Sequence, residues 1–408
     1  MSVAPRNGDS LALAALEWLG SPSRGEDPDP TLYSGGAGVV LAFLEAYRHF
    51  GDDRWADAAL RDARAVAAAS RTWDHHSLYF GTTGMAVALR AVADQLGERE
   101  ADQAAGRALA RVRASFDGER WGPQFDLLGG NAGIALGALA VGDVELAELA
   151  VAPYLRTAEV TPAGVTWENR RGMRPRRHHI SHGTLGVAYA LAATAQASGR
   201  SDLMELALAG VADVVARNDA TAAGFLVPHS DPQQDPDRIE RYSFGWCHGP
   251  AGDAQVFRLL QQHTSDPQWT GLQDRCWHTV LTSGVPQRIR PGFWDNSGRC
   301  CGTAGVLALA CDRAVETGDG LEFAAVLVAD LAERATVDAT GARWSNLEHR
   351  AEPPELAPQR GWAMGNAGIV RELLRFARTS EVRDPSYAVQ WPDHPSAVRR
   401  TDHDGSSQ

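Results

Sequence analysis

The sequence predicts an all-α protein in which a ring of buried helices is enclosed by a ring of exposed ones, seven of each. Three observations predict it. First, Gly-x-x-G units recur seven times in the 408 residues, at 35–38, 81–84, 130–133, 183–186, 249–252, 302–305 and 365–368. Their separations are 46, 49, 53, 66, 53 and 63 residues, and a repeat of that size decides the architecture. Second, most units open a run that is apolar on nearly every side, as at 134–141 and 306–310. A helix apolar all round has to be buried all round. Third, the stretches between are amphipathic: 52–70 spaces Trp55, Ala59 and Val66 on one face and leaves Arg54, Asp57, Arg61 and Arg64 to water. Residues 202–218 and 321–335 read the same way.

Closing such pairs into a double ring is the compact solution. Open solenoids are the alternative, but their repeats run to about 34–47 residues. The glycines are expected to give a tight loop backbone freedom and to remove a Cβ at the crowded entry to each inner helix. All seven loops then point to one end of the ring.

The rest of the chain fits one domain over 1–383. A turn-rich connector is expected at 21–31, a basic insertion at 160–179 and a long Pro-rich loop at 220–241. The basic insertion carries Arg170, Arg171, Arg174, Arg176 and Arg177. Residues 384–408, rich in Pro, Asp, His and Ser, are expected to be a disordered tail.

Composition excludes several functions. The net charge of −12 argues against a nucleic-acid or anionic-membrane surface. No run of about 18 apolar residues predicts a membrane span, and the polar first ten residues do not read as a secretory signal. A cytoplasmic protein is therefore expected. The chain contains no lysine, which sets aside Walker-type phosphate binding, kinase chemistry and Schiff-base catalysis. Five cysteines, an odd number with two adjacent, do not form a disulfide framework.

Those cysteines point elsewhere. Cys247 lies two residues before Gly249, and Cys300 and Cys301 lie directly before Gly302. Two repeats thus deliver three thiols to the same end of the ring, the outline of a soft-metal site with zinc as the expected occupant. No local C-x-x-C pattern is present, so the fold would have to assemble the site. The alternative is three buried, inert thiols. Cys276 and Cys311 fall within helical runs and read as core.

With the segments Trp246-Cys-His-Gly249, Cys300-Cys-Gly302 and Ser181-His-Gly183 set among seven Gly-x-x-G repeats, the chain resembles the lanthionine cyclases, the LanC-like family, over roughly residues 10–380. The resemblance implies an α/α toroid holding one Zn2+ per chain. It implies an enzyme that joins a cysteine of a dehydrated ribosomal precursor peptide to dehydroalanine or dehydrobutyrine as a thioether ring. A separate dehydratase would have to act first. Carried over, the metal ligands fall on Cys247, Cys300 and Cys301. The last stands where a histidine is common, so the ligand set becomes three thiolates. Three thiolates leave a bound substrate thiolate more electron-rich but acidify the incoming thiol less, and the two effects oppose one another.

The acid–base histidine of the family falls on His182, suited by its pKa to move a proton at neutral pH, and the active-site aspartate on Asp126. A hydrogen-bonded structural histidine and a helix N-cap are the plain alternatives. His248 stands where some members have tyrosine, as a group beside the metal or facing substrate. Several members carry an arginine four residues before the first cysteine. Here that position is Ser243, and the nearest arginine, Arg241, is the candidate to stand in for it beside the metal or facing substrate. Addition of a small thiol such as glutathione to dehydrated peptides would use the same groups, and a non-catalytic zinc-containing scaffold would need neither His182 nor Asp126. A toroid glycosidase would need paired carboxylates at the cavity mouth.

Overall fold

The structure, a computed structural model, describes residues 8–21, 29–348, 352–392 and 394. Most of the expected 21–31 connector lies outside the described residues. Along the chain, α1 (Gly8–Gly20) precedes α2 (Gly36–Phe50), α3 (Asp53–Ala69), α4 (Thr82–Leu96), α5 (Arg99–Ala114) and α6 (Asn131–Ala140). Then come α7 (Val144–Val151), the single turn α8 (Tyr154–Thr157), α9 (Thr184–Ser198) and α10 (Ser201–Val215). The series ends with α11 (Pro250–Thr264), α12 (Pro267–Thr282), α13 (Thr303–Thr317), α14 (Leu321–Arg334) and α15 (Asn366–Ser380). Four two-residue or three-residue antiparallel pairs decorate the loops.

The seven helices that follow Gly-x-x-G units pack side by side in the order α2, α4, α6, α9, α11, α13, α15 and back to α2, which closes the inner ring. Each also packs most extensively against one outer helix. The first six outer partners follow their inner helix in sequence. The seventh does not: the partner of α15 is α1, so the first helix of the chain completes the last pair. The turns between partners have a local cause. Gly51, Gly97 and Gly142 take left-handed backbone at the end of an inner helix, and Asp52, Glu98 and Asp143 then accept a backbone N–H to start the outer one.

Burial follows the same division. Every residue of α9 from Thr184 to Ala195 is buried, whereas α3 buries only Trp55, Ala58, Ala59, Ala63 and Val66, one stripe at helical spacing.

The glycines act by close approach, not by unusual backbone angles. The first glycine of each unit has φ between −112° and −167°, a range open to any residue. An added Cβ on the second glycine would instead overlap the carbonyl oxygen six residues earlier, as at Gly133 against Leu127 and Gly252 against Trp246. The loop carbonyl therefore rests on the first turn of its own helix.

That contact fixes a register. The residues two positions before each unit are Tyr33, Tyr79, Leu128, Ser181, Cys247, Cys300 and Ala363. Six backbone hydrogen bonds join them in ring order: Leu128 N–H to Ser181 O (3.1 Å), Ser181 to Cys247 (3.3 Å), Cys247 to Cys300 (3.1 Å), Cys300 to Ala363 (2.8 Å), Ala363 to Tyr33 (2.9 Å) and Tyr33 to Tyr79 (2.9 Å). The loops form one stapled floor.

Two expectations need correction. The inner helices α11 and α15 are not apolar all round. They bury Asp253, Arg258, Arg371, Glu372, Arg375 and Arg378. These charges survive burial because they are paired: Asp312 of α13 bridges Arg258 and Arg375 at 2.7 Å each, and Arg378 pairs with Glu45 of α2.

Nor is the whole stretch after 383 a disordered tail. Residues 385–392 and 394 run into the ring from the end opposite the loops, contacting α2, α4, α11, α13 and α15. Trp391 is buried there, stacked on Trp362 at 4.6 Å and bonded through its indole N–H to Tyr79 Oη at 3.0 Å. Its polar composition concealed two aromatic anchors, Tyr387 and Trp391, both of which are buried. Residues 395–408 lie outside the described residues.

A paired test follows from the close approach. Gly133→Ala should lower unfolding stability by about 1–3 kcal/mol through overpacking. Gly106→Ala, in α5 with open space around it, should raise it by about 0.5–1 kcal/mol. Denaturant unfolding checks both, and equal effects at the two sites would contradict the close-approach reading.

Candidate functional site

The floor places side chains by position. Cys247 and Cys300 are equivalent residues of neighbouring repeats, and their backbones are bonded directly to each other, so their side chains emerge together. Cys301, one residue on, turns toward the open side and is the least buried of the three. Cys247 Sγ lies 3.2 Å from Cys301 Sγ, and Cys301 Sγ lies 3.5 Å from Cys300 Sγ. All three sulfurs lie within 4.8 Å of one another. These separations exceed a disulfide bond by more than an ångström, and all three thiols are free. A cluster of this kind can hold a soft metal ion.

The thiols share charge unequally. Cys301 is held well below the ordinary thiol range by its hydrogen-bonding contacts with Cys247 and then Cys300. Cys247 is pushed up by its bonds to Cys300 and Cys301 and by burial. Cys300 is also pushed up, since its bond to Cys301 and its burial outweigh the opposing bond to Cys247. The inner-helix N-termini add to this environment, because their dipoles favour negative charge at the floor.

One repeat further round the ring, His182 stands immediately before Gly183, the position Cys301 holds before Gly302. Its Nδ1 lies 2.8 Å from Asp126 Oδ2. Asp126 is buried, and its Oδ1 accepts the Gly129 N–H at 2.8 Å. A carboxylate at Nδ1 makes that nitrogen the donor and leaves Nε2 as the basic nitrogen of the neutral ring.

The model of the family described as "Lanthionine synthetase C-like protein" matches residues 26–234 and 234–324. The chain belongs to the lanthionine synthetase C-like family. Among solved structures it is similar to nisin cyclase, with 14% identity, a TM-score of 0.65, and coverage of 96% of this chain and 97% of that one. It is also similar to an unsaturated glucuronyl hydrolase specific for heparin, at 10% identity and TM-score 0.52, covering 93% and 98% of the two chains. At these identities the likenesses establish the toroid fold. No curated protein sequence matched.

In this lanthionine synthetase C-like chain the remaining expected residues separate. His248 joins the site, with its ring 5.6 Å from that of His182 and inclined by 25°. Arg241 does not. It is exposed and bonded to Asp219 at 2.9 Å and to the Tyr242 hydroxyl at 2.8 Å, while its backbone carbonyl ties down the neighbouring His229. The reason is its place in the loop: residues 235–241 are mostly exposed, and the chain becomes buried only from Gly245. Cys276 and Cys311 are core residues of α12 and α13; burial pushes Cys276 well up and Cys311 up to about 12.

Other groups near the floor went unnoticed in the sequence. Tyr33, equivalent by register to Cys247, donates its hydroxyl to Cys300 Sγ at 3.9 Å. His179 Nδ1 lies 2.8 Å from Asp253 Oδ2, both fully buried. His229 arrives from the Pro-rich loop and packs on His248 with ring centroids 4.0 Å apart. Tyr33 could have been found by aligning the seven repeats on their glycines. His229 carries no motif at all.

The basic insertion and the Pro-rich loop meet next to His229. Arg176 and Arg177 pair with Asp231 and Ser230 as a short antiparallel ladder. Arg176 is neutralised by Glu159 at 2.7 Å and Arg177 is bonded to Gln234, while Arg170, Arg171 and Arg174 are exposed.

The unequal thiols give a pH test on metal-free protein. An ordinary thiol is only a few per cent thiolate at pH 7, and its alkylation slows about tenfold per unit below its pKa. Because the pKa of Cys301 is lowered, its alkylation by iodoacetamide should fall less steeply from pH 8 to pH 6.5 than that of free cysteine, while Cys276 and Cys311 remain unlabelled. Mapping by mass spectrometry checks this, and a Cys301 rate that falls in parallel with free cysteine would contradict it.

Proposed function

We propose that the protein is a zinc-dependent lanthipeptide cyclase, which adds a cysteine thiol of a dehydrated precursor peptide to dehydroalanine or dehydrobutyrine. The observation that carries this reading is the convergence of Cys247, Cys300 and Cys301 on the same floor as the bonded His182–Asp126 pair. Zinc bound by three sulfurs at about 2.3 Å in a tetrahedral site sets sulfur–sulfur separations of about 3.8 Å. The 3.2 and 3.5 Å measured between the thiols lie close enough for small side-chain rotations to fit the ion. When bound, the ion supplies a Lewis acid with one exchangeable position, which lowers the pKa of an incoming thiol.

The chain's own residues do the rest. Asp126 fixes His182 with Nδ1–H toward the carboxylate, so Nε2 accepts the thiol proton. The sulfur then bonds to the β-carbon of the dehydro residue and the double bond shifts to give an enolate. His182 returns the proton to the α-carbon, and the product has the mass of the substrate. Helix N-termini under the floor stabilise the negative charge that develops.

The peptide and a separately encoded dehydratase are the expected partners, and the cytoplasm is the expected compartment. The similarity to the glucuronyl hydrolase does not favour glycoside hydrolysis. None of the seven equivalent floor positions, Tyr33, Tyr79, Leu128, Ser181, Cys247, Cys300 and Ala363, carries a carboxylate, and Asp126 is engaged by His182.

Two variants test the division of labour. Cys247→Ala should lose most of about one zinc per chain, with Cys276→Ala as the unaffected control. His182→Asn should keep the zinc yet close rings about 10² to 10⁴ times more slowly. Counting free thiols by alkylation, against an enzyme-free control, follows the reaction. Full zinc in Cys247→Ala would refute the ligand assignment. Undiminished ring closure in His182→Asn would refute the proton role.

A further inference from the structure

The Pro-rich loop at 220–241 delivers a histidine, not an arginine, to the site. His229 is buried, and its backbone is held from both directions. Its N–H donates to Arg241 O at 2.8 Å, and the next residue, Ser230, pairs with Arg177 and accepts the Gln234 N–H on its hydroxyl at 2.9 Å. Its ring then meets His248 at 4.0 Å. His248 in turn lies nearly parallel to His182 at 5.6 Å and edge-on to His179 at 6.0 Å.

Four imidazoles therefore form one wall beside the thiols, and they fall into two kinds. His182 and His179 each have a carboxylate at Nδ1, from Asp126 and Asp253. The Nδ1 atoms of His229 and His248 are buried without a hydrogen-bond partner. Burial and the neighbouring imidazoles keep both of the latter rings neutral, with His229 lowered to about 3. A buried polar nitrogen without a partner is a cost that a plain packing residue would avoid. Leucine or phenylalanine would fill the space of His229 without it.

We propose that His229 is a positioning residue for ring closure: it pins His248, whose ring face backs His182 and holds the Asp126-bonded imidazole toward the thiol cluster. The inference rests on the cyclase reading for its consequence but on geometry for its substance. Ring-on-ring contact is the element that matters, since neither His229 nor His248 makes a side-chain hydrogen bond through Nδ1. A displacement of His182 by about an ångström is enough to cost about 10- to 100-fold in rate.

The test uses full-length, zinc-loaded protein and compares wild type, His229→Ala, His229→Phe and His182→Asn on one dehydrated peptide. His229→Ala should hold zinc at the wild-type level and keep its KM within about twofold, while kcat falls about 10- to 100-fold. His229→Phe, which keeps a flat ring against His248, should recover most of the loss. In ¹⁵N-histidine-labelled protein the His182 imidazole resonances should move in the alanine variant and return toward wild type in the phenylalanine variant. Should His229→Ala lose its cooperative unfolding transition, His229→Leu, which fills the volume without a flat ring, takes its place.

Unchanged kcat in the alanine variant, an unmoved His182 resonance, loss of zinc, or a phenylalanine variant no better than alanine would each overturn the proposal. If wild type itself closes no rings, the cyclase reading fails instead, and the resonance comparison alone then decides the positioning role.

Discussion

At each of the seven loops a carbonyl oxygen rests against a glycine in the first turn of the inner helix, leaving no room for a Cβ. Much follows from that contact. It locks each loop to its own helix, so the residue two positions before the motif emerges at the same height in every repeat. Neighbouring loops can then bond backbone to backbone around the ring. Cys247 and Cys300, 53 residues apart in sequence, become neighbours because their repeats are neighbours. The site needs no local finger motif, since its spacing is set by the ring. The same register brings His182 to the floor and leaves its carboxylate to come from the preceding repeat, where Asp126 lies four residues before Gly130.

Much of this was legible in the sequence because it is periodic. Seven Gly-x-x-G units, the apolar runs behind them and the three cysteines beside two of them define the rings and the cluster without coordinates. What was not legible is what breaks the period. The outer partner of α15 comes from the start of the chain, a pairing that repeat counting does not reveal. The role of the glycines was only half read: absence of a Cβ matters, unusual backbone angles do not. Arg241 was a candidate because it is near Cys247 in sequence, yet the loop turns inward after it and contributes His229 instead. A lone histidine in a Pro-rich insertion has no spacing to betray it.

The interior departs from the expected apolar ring in an organised way. Asp312 is flanked by Arg258 and Arg375, and Glu372 by Arg299 and Tyr387, so each buried charge keeps an opposite or hydrogen-bonding partner. Replacing one partner would strand the other, a larger loss than the pair itself contributes. Residues 385–392 and 394 belong to this network, since Tyr387 bonds Glu372 at 2.6 Å and His394 approaches Asp312 at 3.3 Å. It carries Trp391 up to the aromatic cluster of Tyr79, Trp246 and Trp362, directly beneath the loops that hold the thiols. The floor is thus supported from below by aromatic packing and from the side by the histidine wall. Polar composition misled about this segment because two aromatic residues suffice to anchor it.

The central claim is that the ring register assembles an all-sulfur metal centre from Cys247, Cys300 and Cys301, with His182 near it but not bound to it. X-ray absorption at the zinc edge of the purified protein addresses that claim most directly. The account predicts three sulfurs at about 2.3 Å and one oxygen or nitrogen, changing to four sulfurs when a thiol peptide is added. Imidazole scattering in the resting protein that disappears in His182→Asn, or fewer than three sulfurs around the zinc, would contradict it.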